Sequence, residues 1–313
     1  MSPWRTLLLL VILAAAHGAQ ARGAGPEFTG QLLFHRYSSY DAWDSKLYLY
    51  DYKTGTLTCL SAAWAIDHAM NAHFSSDGRS IVFMGVPRGR HDGRSWDIFL
   101  CALARSADPV DLTARNGLRD EDPSFSPDGK TIVFKQDGRV KFVDVATRKV
   151  RPLRELAPGV EWSMPVFTTN GRAVVAMTGA RASGDLYAVN LDGTKLMPIA
   201  TTRGVQEYFP VAWDANRLLY VRWLSADNRN DQIYCYRWRD KKAERLPLWE
   251  DNSNASDPCP ADDRWVFFSS TRSGGKGGYD LYAGDSVSGR AFPLAAEGIN
   301  TPAEELGACY RRR

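Results

Sequence analysis

The sequence predicts an all-β protein: a six-bladed β-propeller of four-stranded blades, with the ring closed by pairing of the N- and C-terminal segments in one composite blade. Three observations predict it. A strand–turn–strand unit, seen best in Arg119-Asp120-Glu121-Asp122-Pro123-Ser124-Phe125-Ser126-Pro127-Asp128-Gly129-Lys130-Thr131-Ile132-Val133-Phe134, recurs along the chain. Its spacing is roughly 40 to 50 residues, the period of a propeller blade. Each complete copy is followed by a third apolar run and a shorter fourth one, whereas the first blade lacks its opening strand and the last copy lacks a continuation.

Taken in order, the chain begins with Met1-Ser2-Pro3-Trp4-Arg5, an apolar run from Leu7 to Ala16, and Ala19-Gln20-Ala21. This is the pattern of a cleaved export signal, too short in its apolar part to span a membrane. Cleavage is expected after Ala21, which leaves residues 22–313 as one domain, periplasmic or secreted. Leu32-Leu33-Phe34-His35-Arg36, Ser45-Lys46-Leu47-Tyr48-Leu49-Tyr50 and Thr56-Leu57-Thr58-Cys59-Leu60 then supply strands two to four of a blade without a first. Complete copies open at Asn71–Phe74, Asp122–Phe125, Met164–Phe167, Phe209–Trp213 and Asp257–Cys259. The broken copy from Asn300 to Tyr310, aligned on Pro302, supplies the missing strand. The turn inside the unit has a mechanism: Pro127 pre-sets φ, Asp128 bonds its own backbone, and Gly129 takes a positive φ. Third strands follow, as in Trp96–Leu100, Gly184–Ala188 and Tyr279–Tyr282. The aspartates near their starts (Asp44, Asp97, Asp185, Asp231, Asp280) recur in five blades, which marks turn caps rather than chemistry.

The run Pro-x-Phe-Ser-Pro-Asp-Gly-Lys-x-Ile-Val-Phe, with Asp-Leu-Tyr after it, resembles the repeat of TolB-type propellers. The resemblance covers essentially the whole chain after the signal. It implies the architecture and leaves function open. Propellers of this kind include periplasmic scaffolds, components beside polysaccharide-degradation systems, oligogalacturonate-type lyases and peptidase accessory domains.

Thirty-nine Lys and Arg against 36 Asp and Glu is a near balance. It argues against a nucleic-acid partner, whose electrostatic footprint is strongly basic. Arg311-Arg312-Arg313 reads as a solvated tail. Five cysteines, an odd number, match no zinc spacing. Export permits disulfides; Cys59 and Cys309 fall in the composite blade, where they are either bridged or two nearby thiols. The chain carries no Gly-x-Ser-x-Gly elbow and no His-Glu-x-x-His motif.

Function is sought where the copies differ. Counting back four residues from the proline of each first strand gives His68, Arg119, Glu161, Gln206, Asn254 and Gly298. Three back gives Ala69, Asp120, Trp162, Glu207, Ala255 and Ile299. One back gives Asn71, Asp122, Met164, Phe209, Asp257 and Thr301. These positions converge on one mouth of the channel, where loops between strands two and three add Arg88, His91, Arg94, Trp43 and others. The candidate ligand-binding residues are His35, Arg36, His68, Arg119, Asp120, Glu121, Glu161, Trp162, Gln206, Glu207, Arg222 and Arg272. Arginine forks recognise carboxylates, and aromatic faces suit sugar rings. The expected ligand is an acidic oligosaccharide or a protein partner, bound without catalysis or cofactor by a monomer. The alternative is a lyase on uronate-containing saccharides. In it, His68, Glu161 and Gln206 hold Mn²⁺ or Ca²⁺, Arg119 neutralises the uronate, and His68 or Glu161 takes the α-proton. The structural alternative has Glu161 or Glu207 paired with Arg119 across the channel, and Trp162 packing between loops.

Overall fold

Six four-stranded antiparallel sheets make up the computed structural model, which describes residues 26–104, 108–114, 116–154, 160–178 and 184–312. The expected export signal, residues 1–21, lies outside the described residues. The innermost strands are Ile66–Phe74, Asp120–Phe125, Trp162–Phe167, Glu207–Ala212, Ala255–Pro260 and Glu304–Arg311. The last of these pairs with Gln31–Tyr37, giving the composite blade (blade 1) the order Glu304–Arg311, Gln31–Tyr37, Lys46–Asp51, Thr56–Cys59. Ring closure therefore removes two open sheet edges at once. Among the described residues no helix is long and apolar enough to cross a membrane.

The blades pack face to face, so their strands are apolar on both sides. Six core clusters result, one at each blade junction. Phe34, Phe83, Phe134, Phe267 and Phe268 are completely buried in them, each contributing about 1.5–3 kcal/mol of transfer free energy.

Every innermost strand carries a β-bulge, and the bulged residue has a positive φ: Asn71 (51°), Asp122 (53°), Met164 (51°), Phe209 (49°), Asp257 (48°) and Gly307 (64°). A bulge interrupts the ladder, which explains why a proline can follow it in four blades. The composite blade corrects the alignment made from the sequence. Its bulge is Gly307, followed by Ala308 where four of the other five copies have proline. The positions assigned to Gly298, Ile299 and Thr301 belong instead to Glu304, Glu305 and Gly307. Pro302 lies before the strand and misleads because it is the nearest proline.

The Cys59–Cys309 bridge is also excluded. Cys309 is on the innermost strand and Cys59 on the outermost one of the same sheet. Three strand spacings of about 4.8 Å separate them, roughly 14 Å, against the ~7 Å limit for a disulfide. All five cysteines are free thiols.

Candidate functional site

The strands converge at the end of the channel where the innermost strands begin. Just before and at the bulges, blades 5, 6 and 1 bring together Tyr208, Ser256, Asp257 and Glu304, joined by Asp231, Tyr279 and Tyr37 from neighbouring strands. Asp257 Oδ2 accepts from Gly307 N at 3.2 Å, and Ser256 Oγ lies 3.3 Å from Oδ1. Burial pushes the Asp257 carboxyl up to about 6. Asp231 is likewise raised to about 6 by burial, against the opposing hydrogen bond from the Tyr208 hydroxyl. Its Oδ1 is buried without a hydrogen-bond partner. Burial first, and then these carboxylates, hold the Tyr208, Tyr279 and Tyr37 phenols well above their ordinary range. Across the channel Asp122 is raised to about 6 by burial and by Glu121, and its Oδ2 accepts from Met164 N at 3.3 Å. His35 closes the ring: its Nδ1 stands 3.4 Å from Asn71 N, and burial followed by the charge of His68 lowers it to about 3. The mouth is therefore floored by carboxyls and phenols.

Several residues expected to contact ligand are engaged inside the blades. At one rung of the three-stranded ladder, each blade carries one acid. In blades 1, 3 and 5 it is on the innermost strand (Glu305, Asp120, Glu207), facing Arg36, Gln136 and Arg222 on the second. In blades 2, 4 and 6 it is on the third strand (Asp97, Asp185, Asp280). Arg36 Nε reaches Glu305 at 2.6 Å, Gln136 Nε2 reaches Asp120 at 2.9 Å, and Arg222 lies 3.8 Å from Glu207. The same acids accept from the incoming loop: Thr301 on Glu305 (2.5 Å), Asn116 on Asp120 (2.6 Å) and Thr202 N on Glu207 (3.1 Å). All three acids are completely buried. Arg36 also donates to Gly298 O and Ile299 O, and Arg272 donates to Leu248 O. These are latches between a loop and its blade. Of the expected turn caps, Asp44 and Asp280 take Ser38 N (3.1 Å) and Lys276 N (2.7 Å). Asp97 instead shares a hydrogen bond with Asp111 and is raised by burial to about 7.

The other candidates separate around the rim. His68 is fully buried, ringed by Tyr37, Tyr40, Trp43 and Trp96 with centroids 5.4–6.3 Å away. Its Nδ1 accepts from Ser45 N at 3.1 Å, and burial lowers it to about 4. Arg119 pairs with Glu121 at 2.7 Å, which Lys135 also reaches at 2.6 Å; the expected partners Glu161 and Glu207 do not pair with it. Glu161 is exposed beside Gly138, Trp162 is a core residue, and Gln206 donates toward Met177 Sδ at 3.9 Å. Among the described residues no group of three His, Cys, Asp or Glu side chains is placed to hold a metal ion.

No protein-family model matches the sequence, and no curated protein matches it significantly. Solved structures do. TolB from Acinetobacter baumannii superposes with a TM-score of 0.67 at 16% identity, covering 93% of this chain and 69% of the other. A putative TolB from Agrobacterium tumefaciens gives 0.61 at 14%, covering 92% and 100%. The fold is that of a TolB-like propeller. An oligogalacturonate lyase from Vibrio parahaemolyticus shares it at a TM-score of 0.54 and 13% identity, covering 85% and 80%. At such identities the likeness is one of architecture.

The opposite end of this TolB-like propeller is different in kind. Beyond the bulges, Pro123, Phe125, Pro165, Phe167, Pro210 and Val211 line a cavity of about 310 Å³. Asp122, Asp257 and His35 are among the residues expected at this mouth from the sequence, whereas Asp231, Tyr279 and Glu304 are not. Tyr208 stands two before its proline, a column that reads Met70, Glu121, Ser163, Tyr208, Ser256 and, once realigned, Leu306. Asp231 was hidden among the repeated aspartates. A tabulation of that column was the available signal.

Proposed function

We propose that the protein is a non-catalytic, exported binding propeller, monomeric, that takes a basic segment of a protein partner at its polar mouth. One observation carries the reading: a buried carboxylate oxygen without a partner, Asp231 Oδ1, beside Asp257 and among three tyrosines. A carboxylate oxygen held out of water without a donor is unfavourable even where the other oxygen is hydrogen-bonded, and an incoming ammonium supplies the missing donor and the charge together. Tyr37, Tyr208 and Tyr279 offer aromatic rings to the methylene stem and the ammonium of a lysine. An acidic glycan has less support, because Arg36, Arg222 and Arg272 are engaged with acids and loop carbonyls. The apolar leader supports a periplasmic or extracellular setting.

Calorimetric titration with lysine-rich and glutamate-rich peptides of equal length, and with oligogalacturonate, tests the proposal. Binding of the lysine-rich peptide, lost in Asp231→Asn/Asp257→Asn, is the expected result. Binding of oligogalacturonate or of the acidic peptide instead, unaffected by that double variant, would overturn it.

A further inference from the structure

Two positions beyond each bulge, the innermost strands present His73, Ser124, Val166, Val211, Cys259 and Cys309. Sulfur and imidazole are thus confined to three adjacent strands, the innermost ones of blades 2, 6 and 1. The backbone N–H of Tyr310, the residue after Cys309, donates to Cys259 Sγ at 3.0 Å. The Cys259 and Cys309 side chains are hydrogen-bonded to one another, and Cys309 is also bonded to His73. Cys259 is buried and Cys309 half-buried, and His73 lines the 310 Å³ cavity.

We propose that Cys259 and Cys309 are a reactive thiol pair that closes into a disulfide across the joint between blades 6 and 1 when met by a small-molecule disulfide. The chemistry is ordinary exchange. The Cys309 thiolate attacks one sulfur of RS–SR, forming a mixed disulfide and expelling RS⁻. The Cys259 thiol loses its proton, and its sulfur attacks Cys309 Sγ and expels the second RS⁻. Two S–H bonds are broken, one S–S bond forms, and the reagent leaves as two thiols after protonation. The order of attack follows from the surroundings. The hydrogen bond from Cys259, and then that of His73, hold the Cys309 thiol well below the usual range, while the same contact and burial push Cys259 up. The lower-pKa thiol is the attacking one and the other resolves it. The bond would tie the innermost strand of the composite blade to the innermost strand of blade 6 and close a chain loop of about 50 residues, while the ring closure itself stays held by the pairing of Glu304–Arg311 with Gln31–Tyr37.

The test uses the full chain and oxidised glutathione. Peptide mass mapping after alkylation is expected to show a Cys259–Cys309 link with the loss of two hydrogens. The melting temperature should rise by roughly 10 °C, as for a disulfide closing a loop of this length. Cys309→Ala and Cys259→Ala should each lose the link and the rise, while Cys59→Ala keeps both. His73→Asn should slow alkylation of Cys309 near neutral pH without preventing slow closure. Two thiols that stay open to alkylation after oxidant, glutathione retained as a stable adduct, or a link formed without a rise in melting temperature would overturn the proposal.

Discussion

The two ends of the central channel are made by the same six strands and present opposite chemistry. Before and at the bulges stand Tyr37, Tyr208, Tyr279, Asp231, Asp257 and Glu304; beyond them four prolines, Phe125, Phe167 and two valines dominate a cavity that Asn71, Asp122 and His73 also border. The bulge ring divides the two. The residue directly after it is proline in four blades and alanine in two, so that position is nearly the same all round, while the next one varies from His73 and Ser124 to valine and cysteine. The residues before it lie outside the repeat's requirements and are free to differ. The carboxyls and phenols that differ from blade to blade lie before the bulges, and the ligand is sought there.

The largest effect expected concerns the frame both ends share. Deleting residues 304–313 removes the innermost strand of blade 1 and opens the ring, so cooperative thermal unfolding should disappear in calorimetry. A retained sharp transition would break the comparison at its root, since neither end would depend on closure. Next comes the latch at the polar end. Glu305→Ala strands Arg36 and Thr301, and removal of one partner of a buried pair costs about 3–5 kcal/mol, a fall in melting temperature of roughly 10 °C. Asp257→Asn sharpens the contrast further. It should weaken binding of a lysine-rich peptide about 30-fold, about 2 kcal/mol, whereas Val211→Ala at the apolar end should leave that affinity unchanged.

The dependence on pH follows from opposing groups at the polar end. Asp231, Asp257 and Asp122, at about 6 against an unfolded value of 3.8, hold their protons more tightly when folded. Ionising them opposes folding, and that penalty fades as pH falls from above 6 toward 4. His68, at about 4, and His35, at about 3, against 6.5 unfolded, run the other way: acidification below 6.5 costs stability. The two trends offset each other in the native protein. Asp257→Asn removes part of the first, so its melting temperature should drop more than the native protein's between about pH 6.5 and pH 4.5. Peptide affinity should fall in the native protein as pH passes below about 6, because the carboxylates lose their charge. The smallest effect is expected at Glu161→Ala: an exposed rim residue whose loss should change stability by less than about 0.5 kcal/mol and leave binding as it was.

The architecture was legible because it is stated five times over. Turn chemistry in Pro127-Asp128-Gly129, β-branched runs such as Ile132-Val133 and the missing opening strand all agree. Only the composite blade is misread, because Ala308 stands in the marker position while Pro302, before the strand, offers a nearby proline in its place. The site was harder to read for a physical reason. A latch acid alternates between the first and third strands from blade to blade, so Asp120 and Glu207 look like individual residues when they are half of a pattern. Only the register of three strands, with Glu305 correctly placed, shows that pattern. Asp231 shows the converse. It resembles the repeated aspartates in sequence, but it pairs with Trp223, one step off the latch rung, and faces Tyr208.

Photo-crosslinking with a lysine-rich peptide carrying a short diazirine tests most directly which end of the channel binds. Crosslinks on Tyr37, Tyr208 and Tyr279, abolished by Asp231→Asn/Asp257→Asn, are expected. Crosslinks gathered instead on Phe125, Pro127 and Phe167, or scattered over the outer strands, would contradict binding at the polar end.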